Sequence, residues 1–163
     1  MKNLILFILL ATSCSVFGQT WEFTKSVDDF TDKITIFAGC FGEGEFPYND
    51  PVFAIGNDDD GLYFGIANGG TFTNDRLTFK LRVDRGFVYT TEHINLRAYD
   101  DKLYFTDFTT GGERERNISD LISELKNGTI LKVYVSYEYG NYSMKFPLTG
   151  SESAINKLLE EIK

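Results

Sequence analysis

Between two apolar runs the chain sets three carboxylates in a row, in the stretch Asn57-Asp58-Asp59-Asp60-Gly61. A calcium loop would gather roughly six to eight oxygens, several from alternate residues, with a bidentate acid further on. Asn57 and Asp59 have that spacing, and Gly61 would ease the turn. The residues that follow, Leu62 to Ala67, carry no acid. Neighbouring aspartates point apart in most turns, and Asn, Asp and Gly together are ordinary turn chemistry. The stretch therefore reads as a turn, with Asn57 and Asp59 as the metal-ligating alternative, and no cofactor is expected.

The other reactive side chains are scattered. His93 is the single histidine, so a histidine metal cluster cannot be assembled and a nucleophilic triad would have to rely on it alone; it reads as a surface histidine. Cys40, beside glycines in Ala38-Gly39-Cys40-Phe41-Gly42, reads as a small buried hydrophobe rather than a reactive thiol. Glu22, Glu92 and Glu138 stand in strand-like runs, where two acids would suffice for a glycosidase, yet their context is that of solvent-facing residues. No catalytic set is expected. Arg82 and Asp84, two apart in Leu81-Arg82-Val83-Asp84-Arg85, share one face of an extended run and are close enough for an ion pair. They read either as a surface pair or as a recognition point for a peptide or glycan. Arg97 shares a polar face with His93 and Asn95 and is a further candidate contact.

Strands must position these residues. In the run 76–84, Leu77, Phe79, Leu81 and Val83 fall on one face and Thr78, Lys80, Arg82 and Asp84 on the other. Runs of the same kind cover 33–38, 51–55, 62–67, 87–92, 93–99 and 102–108, and Trp21 to Lys25 supplies a further one. Near the C-terminus, Gly140-Asn141 is a two-residue turn between apolar-alternating segments. Pairing Tyr139 with Tyr142 there sets Val135 opposite Phe146 and Val133 opposite Leu148, so every pair on that face is apolar.

Two segments switch to helical spacing. Ile118, Leu121, Ile122 and Leu125 form one stripe, with Asn117 to cap the start and Gly128 to end it. Ile155, Leu158, Leu159 and Ile162 form the second, preceded by Thr149 and Glu152 at the spacing of a capping box. The expected architecture is mostly β: an antiparallel β-sandwich or curled sheet with two short covering helices, the second C-terminal.

The N-terminus reads as a bacterial secretory signal peptide over residues 1–18. Lys2 supplies the basic start, Leu4 to Ala11 is too short a run to span a bilayer, and small residues precede Gln19. The rival is a lipoprotein signal ending in Cys14, but Ala11 stands where that box prefers a larger aliphatic residue. Residues 19–163 would then form one β-rich extracytoplasmic domain without an integral membrane segment. Its single cysteine excludes an internal disulfide, so burial must hold the fold. Losing Lys2 takes the formal charge from −8 to −9. Nucleic acid and anionic lipid, which need a cationic face, are poor partners for such a composition.

A family resemblance runs along the mature region. Trp21, then Asp29-Phe30-Thr31-Asp32 before a strand, then 62–71 (LYFGIANGGT) and Arg82-Val83-Asp84, follow one another in order. The segments 122–135 (ISELKNGTILKVYV) and 144–162 (MKFPLTGSESAINKLLEEI) complete it. Together they resemble the type VI secretion-associated periplasmic family typified by VasI. That resemblance implies a secreted β-rich domain ending in a helix, with an accessory role and no established catalysis.

The expected function is that of a non-catalytic secreted or periplasmic binding domain acting on a protein or cell-envelope component. The alternative is a small carbohydrate-binding or carboxylate-dependent carbohydrate-active β-sandwich. Aromatics exposed in a row would favour the sugar reading, and a charged surface the protein-partner reading. The intact mass of the exported protein should correspond to a chain beginning at Gln19 without lipid; an acylated Cys14 at the N-terminus would reverse that expectation.

Overall fold

The structure, a computed structural model, describes residues 20–27, 29, 32–45, 50–58, 61–72, 77–90, 94–108, 117–137 and 140–163. Among the described residues the chain is mostly β, in two antiparallel sheets with two helices, the second C-terminal, as the alternating runs require. The first sheet holds β1 (Glu22–Val27), β2 (Ile34–Phe41), β3 (Val52–Asp58), β4 (Gly61–Phe72) and β7 (Ile94–Phe108), in that spatial order. The second holds β6 (Tyr89–Thr90), β5 (Thr78–Val83), β8 (Ile130–Tyr137) and β9 (Gly140–Pro147). Helix α1 (Ile118–Asn127) precedes β8, and α2 (Ser151–Glu161) follows β9 and packs on β1, β2 and α1.

Strand alternation puts one side of each sheet into a shared core. From the first sheet come Phe53, Ile55, Phe64, Ile66, Leu103 and Phe105; from the second come Phe79, Leu81, Val133, Val135, Met144 and Phe146. Aromatic rings link the two. Phe53 lies 5.6 Å from Phe146 and 5.9 Å from Trp21 between ring centroids, and Phe105 stacks on Phe64 at 4.9 Å while meeting Phe79 at 5.7 Å. Leu121 and Leu125 of α1 and Ala154, Ile155 and Leu158 of α2 join the same cluster.

Helix α1 starts as its sequence indicates. The Asn117 side chain accepts from the Asp120 amide at 3.0 Å, and the Asp120 carboxylate accepts from the Asn117 amide at 3.0 Å. Gly128 ends it, with a backbone too close to Val83 for a Cβ. The start of α2 differs from expectation. Its N-cap is Gly150, at a left-handed φ of 81°, and no side-chain capping bond forms, so Thr149 and Glu152 make no box. Other bonds hold the start of α2: the Thr149 carbonyl accepts from the Trp21 amide at 2.9 Å, and the Ser151 hydroxyl donates to the Leu125 carbonyl at 2.7 Å.

The C-terminal hairpin is the main correction. Tyr137 pairs with Gly140, and Gly140 and Asn141 lie within β9 rather than in the turn. Val135 stands opposite Tyr142, and Phe146 opposite Leu131. The expected register would have set Ile130 and Leu131 against Ser151 and Gly150, which the start of α2 occupies. Stacking of Tyr137 on Tyr142 at 5.6 Å, with their hydroxyls 2.8 Å apart, favours the observed one. The offset is an even number of residues, so the inner faces are unchanged. The expected strands 93–99 and 102–108 are one strand, β7; the irregularity falls on β4 between Ala67 and Phe72, where Gly70 takes a φ of 151° against the Tyr142 ring.

Phe146 is fully buried and Lys145, its neighbour on the outer face, is exposed. Phe146→Ala should destabilise by about 3–5 kcal/mol, and Lys145→Ala should stay within about 0.5 kcal/mol. Urea unfolding at matched slope checks the ranking, and the reverse order would mean the strand faces outward at 146.

Candidate functional site

Arg82 and Asp84 separate in the structure. Asp84 leaves β5 with a left-handed φ of 48°, a conformation that aspartate tolerates better than most residues. Its carboxylate accepts from the amides of Thr129 and Ile130 at 2.9 and 3.0 Å, and its own amide donates to the Ile130 carbonyl at 2.9 Å. Asp84 thus fixes the passage from α1 into β8. No Arg82–Asp84 ion pair forms, because the carboxylate is turned to these two amides. Arg97 is exposed on β7, in the other sheet. The three expected binding residues therefore make no common site.

Asn57 is half-buried in the β3–β4 ladder opposite Leu62, and Asp59 lies outside the described residues. Asp58 pairs with Gly61, which has a φ of 109°, and residues 59–60 lie outside the described residues. Among the described residues no three His, Cys, Asp or Glu side chains cluster as metal ligands. His93, Glu92 and Glu138 also lie outside the described residues; Glu22 is exposed at the start of β1. Burial pushes the Cys40 thiol up to about 12, and its Sγ lies 3.5 Å from the Pro147 carbonyl, so it is a packed core group.

The outer faces of the two sheets differ in character. On the first, Phe37, Val52, Ala54 and Ala67 are buried although they lie outside the main core cluster. Tyr63 lies over Gly56, Tyr104 lies beside Gly65, and the two tyrosine rings meet edge-on at 6.2 Å. Burial, with Tyr63 and Asp101 nearby, pushes the Tyr104 hydroxyl up to about 12. These rings close over their own sheet rather than standing open as a platform. A shallow cleft of about 410 Å³ between β1 and α2, lined by Trp21, Glu22, Phe23, Gly150, Ser153 and Lys157, holds none of Asn57, Arg82, Asp84 and Arg97.

The second sheet presents an open face. Register sets three rungs across β5, β8 and β9: Thr78–Ser136–Asn141, Lys80–Tyr134–Ser143 and Arg82–Lys132–Lys145. Seven of the nine are exposed, Tyr134 among them, and Arg82 and Ser136 are half-buried. Four carry positive charge and none is acidic, in a chain with 24 Asp and Glu against 16 Lys and Arg. Among the described residues the bordering acids are Asp84, bound to two amides, and Glu43, whose backbone bridges to Lys145. Arg82 was legible as an outward residue of β5. Lys132, Tyr134 and Lys145 were not grouped with it, because only the register of three strands brings them together.

No protein-family model matches the chain, and no curated protein matches it. Its fold is similar to the crystal structure of invasion associated protein B from Bartonella henselae, with a TM-score of 0.57 and 15% sequence identity. The likeness covers 90% of this chain and 94% of that one. Among the described residues no helix is long and apolar enough to cross a membrane.

Asp84→Ala leaves two amides without their acceptor and should cost about 1–3 kcal/mol. Arg82→Ala, which removes no bond of this kind, should change stability by no more than about 0.5 kcal/mol. Chemical denaturation of both variants checks this; equal losses would mean that Arg82 is held in the fold as firmly as Asp84.

Proposed function

We propose that this protein is a non-catalytic extracytoplasmic binding domain that engages a protein or cell-envelope partner through the outer face of its second sheet. The supporting observation is the division of labour among the polar side chains. Asp84 and Cys40, two of the candidates for chemistry, are taken up by the fold, whereas nine polar side chains share the outer face of β5, β8 and β9, seven of them exposed. The signal-like N-terminus supports export, with residues 19–163 as the mature domain. An accessory role like that of the VasI-like secretion-associated family fits the same reading. The carboxylate-dependent hydrolytic alternative is less well supported, because Glu22, the one acid weighed for it that lies among the described residues, is exposed at the start of β1.

The test is cosedimentation of the purified mature domain with washed envelope fractions of the producing cell. Saturable binding, without release of reducing sugar from the same material, is the expected result. Hydrolysis of envelope glycan that Asp or Glu substitution abolishes would overturn the reading, as would an absence of saturable binding.

A further inference from the structure

The open face of the second sheet carries a pattern that folding alone does not favour. Arg82 stands directly opposite Lys132, and Lys132 directly opposite Lys145. Like charges at directly opposed positions of a sheet repel one another. Lys80 adds a fourth cation one rung away, next to Tyr134. Among the described residues none of the four forms an ion pair. A face shaped only by stability would alternate its charges, as most protein surfaces do.

The size of the face narrows its occupant. Three strands spaced by about 4.8 Å, and rungs about 6.8 Å apart along each strand, span roughly 10 by 14 Å between Cα positions. A stable protein interface covers about 800 Å² on each partner, several times this grid. The grid suits instead a short length of an extended polymer. Its chemistry is cationic, with one exposed aromatic ring and five hydroxyl or amide side chains: Thr78, Ser136, Asn141, Ser143 and the Tyr134 phenol. Ammonium and guanidinium groups bind anionic substituents, an aromatic face accepts the apolar side of a sugar ring, and small polar side chains exchange hydrogen bonds with hydroxyls. An acidic polypeptide would use the cations and exchange backbone hydrogen bonds with the small polar side chains, but it offers the Tyr134 ring no sugar face.

We propose that this face binds an anionic polysaccharide, with Lys80, Arg82, Lys132 and Lys145 holding its charged groups and Tyr134 packing against a sugar ring. The assignment rests on the binding-domain reading and names the class of its partner.

Binding of the mature protein to polygalacturonate, dextran sulfate, neutral dextran and poly-L-glutamate, followed by affinity electrophoresis at low and physiological salt, tests it. Saturable binding to at least one of the two anionic polysaccharides is expected, weakening with salt, with none to neutral dextran. Lys132→Glu should weaken that binding at least tenfold, and Tyr134→Ala severalfold. Lys157→Glu makes the same charge change on the exposed side of α2 and should leave binding within twofold. Failure to bind either anionic polysaccharide overturns the assignment. So does poly-L-glutamate binding of equal strength with no dependence on Tyr134, which would mark a site for acidic polypeptide. Saturable envelope binding that Lys132→Glu leaves intact would sink this assignment while the binding-domain reading stands; loss of envelope binding by the wild-type protein would sink both. Unchanged unfolding midpoints of the three variants confirm that folding is not the cause.

Discussion

The Pro147 carbonyl is the junction on which the arrangement of the sheets depends. It accepts the indole N–H of Trp21 at 2.9 Å, and the Cys40 thiol approaches it at 3.5 Å. Trp21 directly precedes β1, Cys40 belongs to β2, and Pro147 closes β9, so one acceptor ties the first sheet to the second. Proline has no amide hydrogen to continue a ladder, which suits the last residue of a strand that must give way to a helix. Three residues on, Gly150 turns the chain beside the Trp21 backbone with a left-handed φ, which would strain a residue with a side chain. The same few residues thus end β9, begin α2 and dock the N-terminal strand.

From that junction the packing runs inward through aromatic rings. Trp21 touches Phe53, Phe53 touches Phe146 and Phe64, and the contact passes to Phe105 and Phe79. Offset and tilted ring pairs of this kind contribute roughly 0.5–1.5 kcal/mol beyond their buried area. They also fix how far apart the two sheets stand. With the inner faces so committed, only the outer faces are free to differ. The first sheet covers its outer face with its own tyrosines above small residues. The second leaves its outer face polar, and it is there that the cations gather.

Much of this was legible in the residues themselves, and what was missed has a common cause. Alternation in 76–84 places Phe79, Leu81 and Val83 inward and Lys80 and Arg82 outward, because a strand's period of two needs no knowledge of its neighbours. Asn117 and its Asp120 partner likewise act within one turn of chain. The hairpin failed on register. Gly140-Asn141 is good turn chemistry, but where the pairing must end is decided by α2 and by the Tyr137–Tyr142 stack, both beyond local view. The α2 cap failed on contacts from far in sequence: the Trp21 amide on the Thr149 carbonyl and the Ser151 hydroxyl on the Leu125 carbonyl hold the turn with Gly150, not Thr149, at the N-cap. Asp84 looked like half of a surface ion pair until the start of β8 came to lie beside it. Each error is a short-range rule overruled by a bond from elsewhere in the chain.

Net charge illustrates the same limit at the level of function. A formal charge of −8 describes the average field far from the molecule. At physiological ionic strength that field decays over a Debye length of about 8 Å, so a ligand in contact with the surface responds to the side chains immediately under it. Arg82, Lys132 and Lys145 lie on adjacent strands about 4.8 Å apart, inside one such length of their neighbours. A ligand seated there meets four cations and no acid within the grid, whatever the balance elsewhere. The excess of acids around it then acts as a filter. A large polyanion that presses on the whole molecule is repelled, while a narrow chain that touches only the sheet face is not.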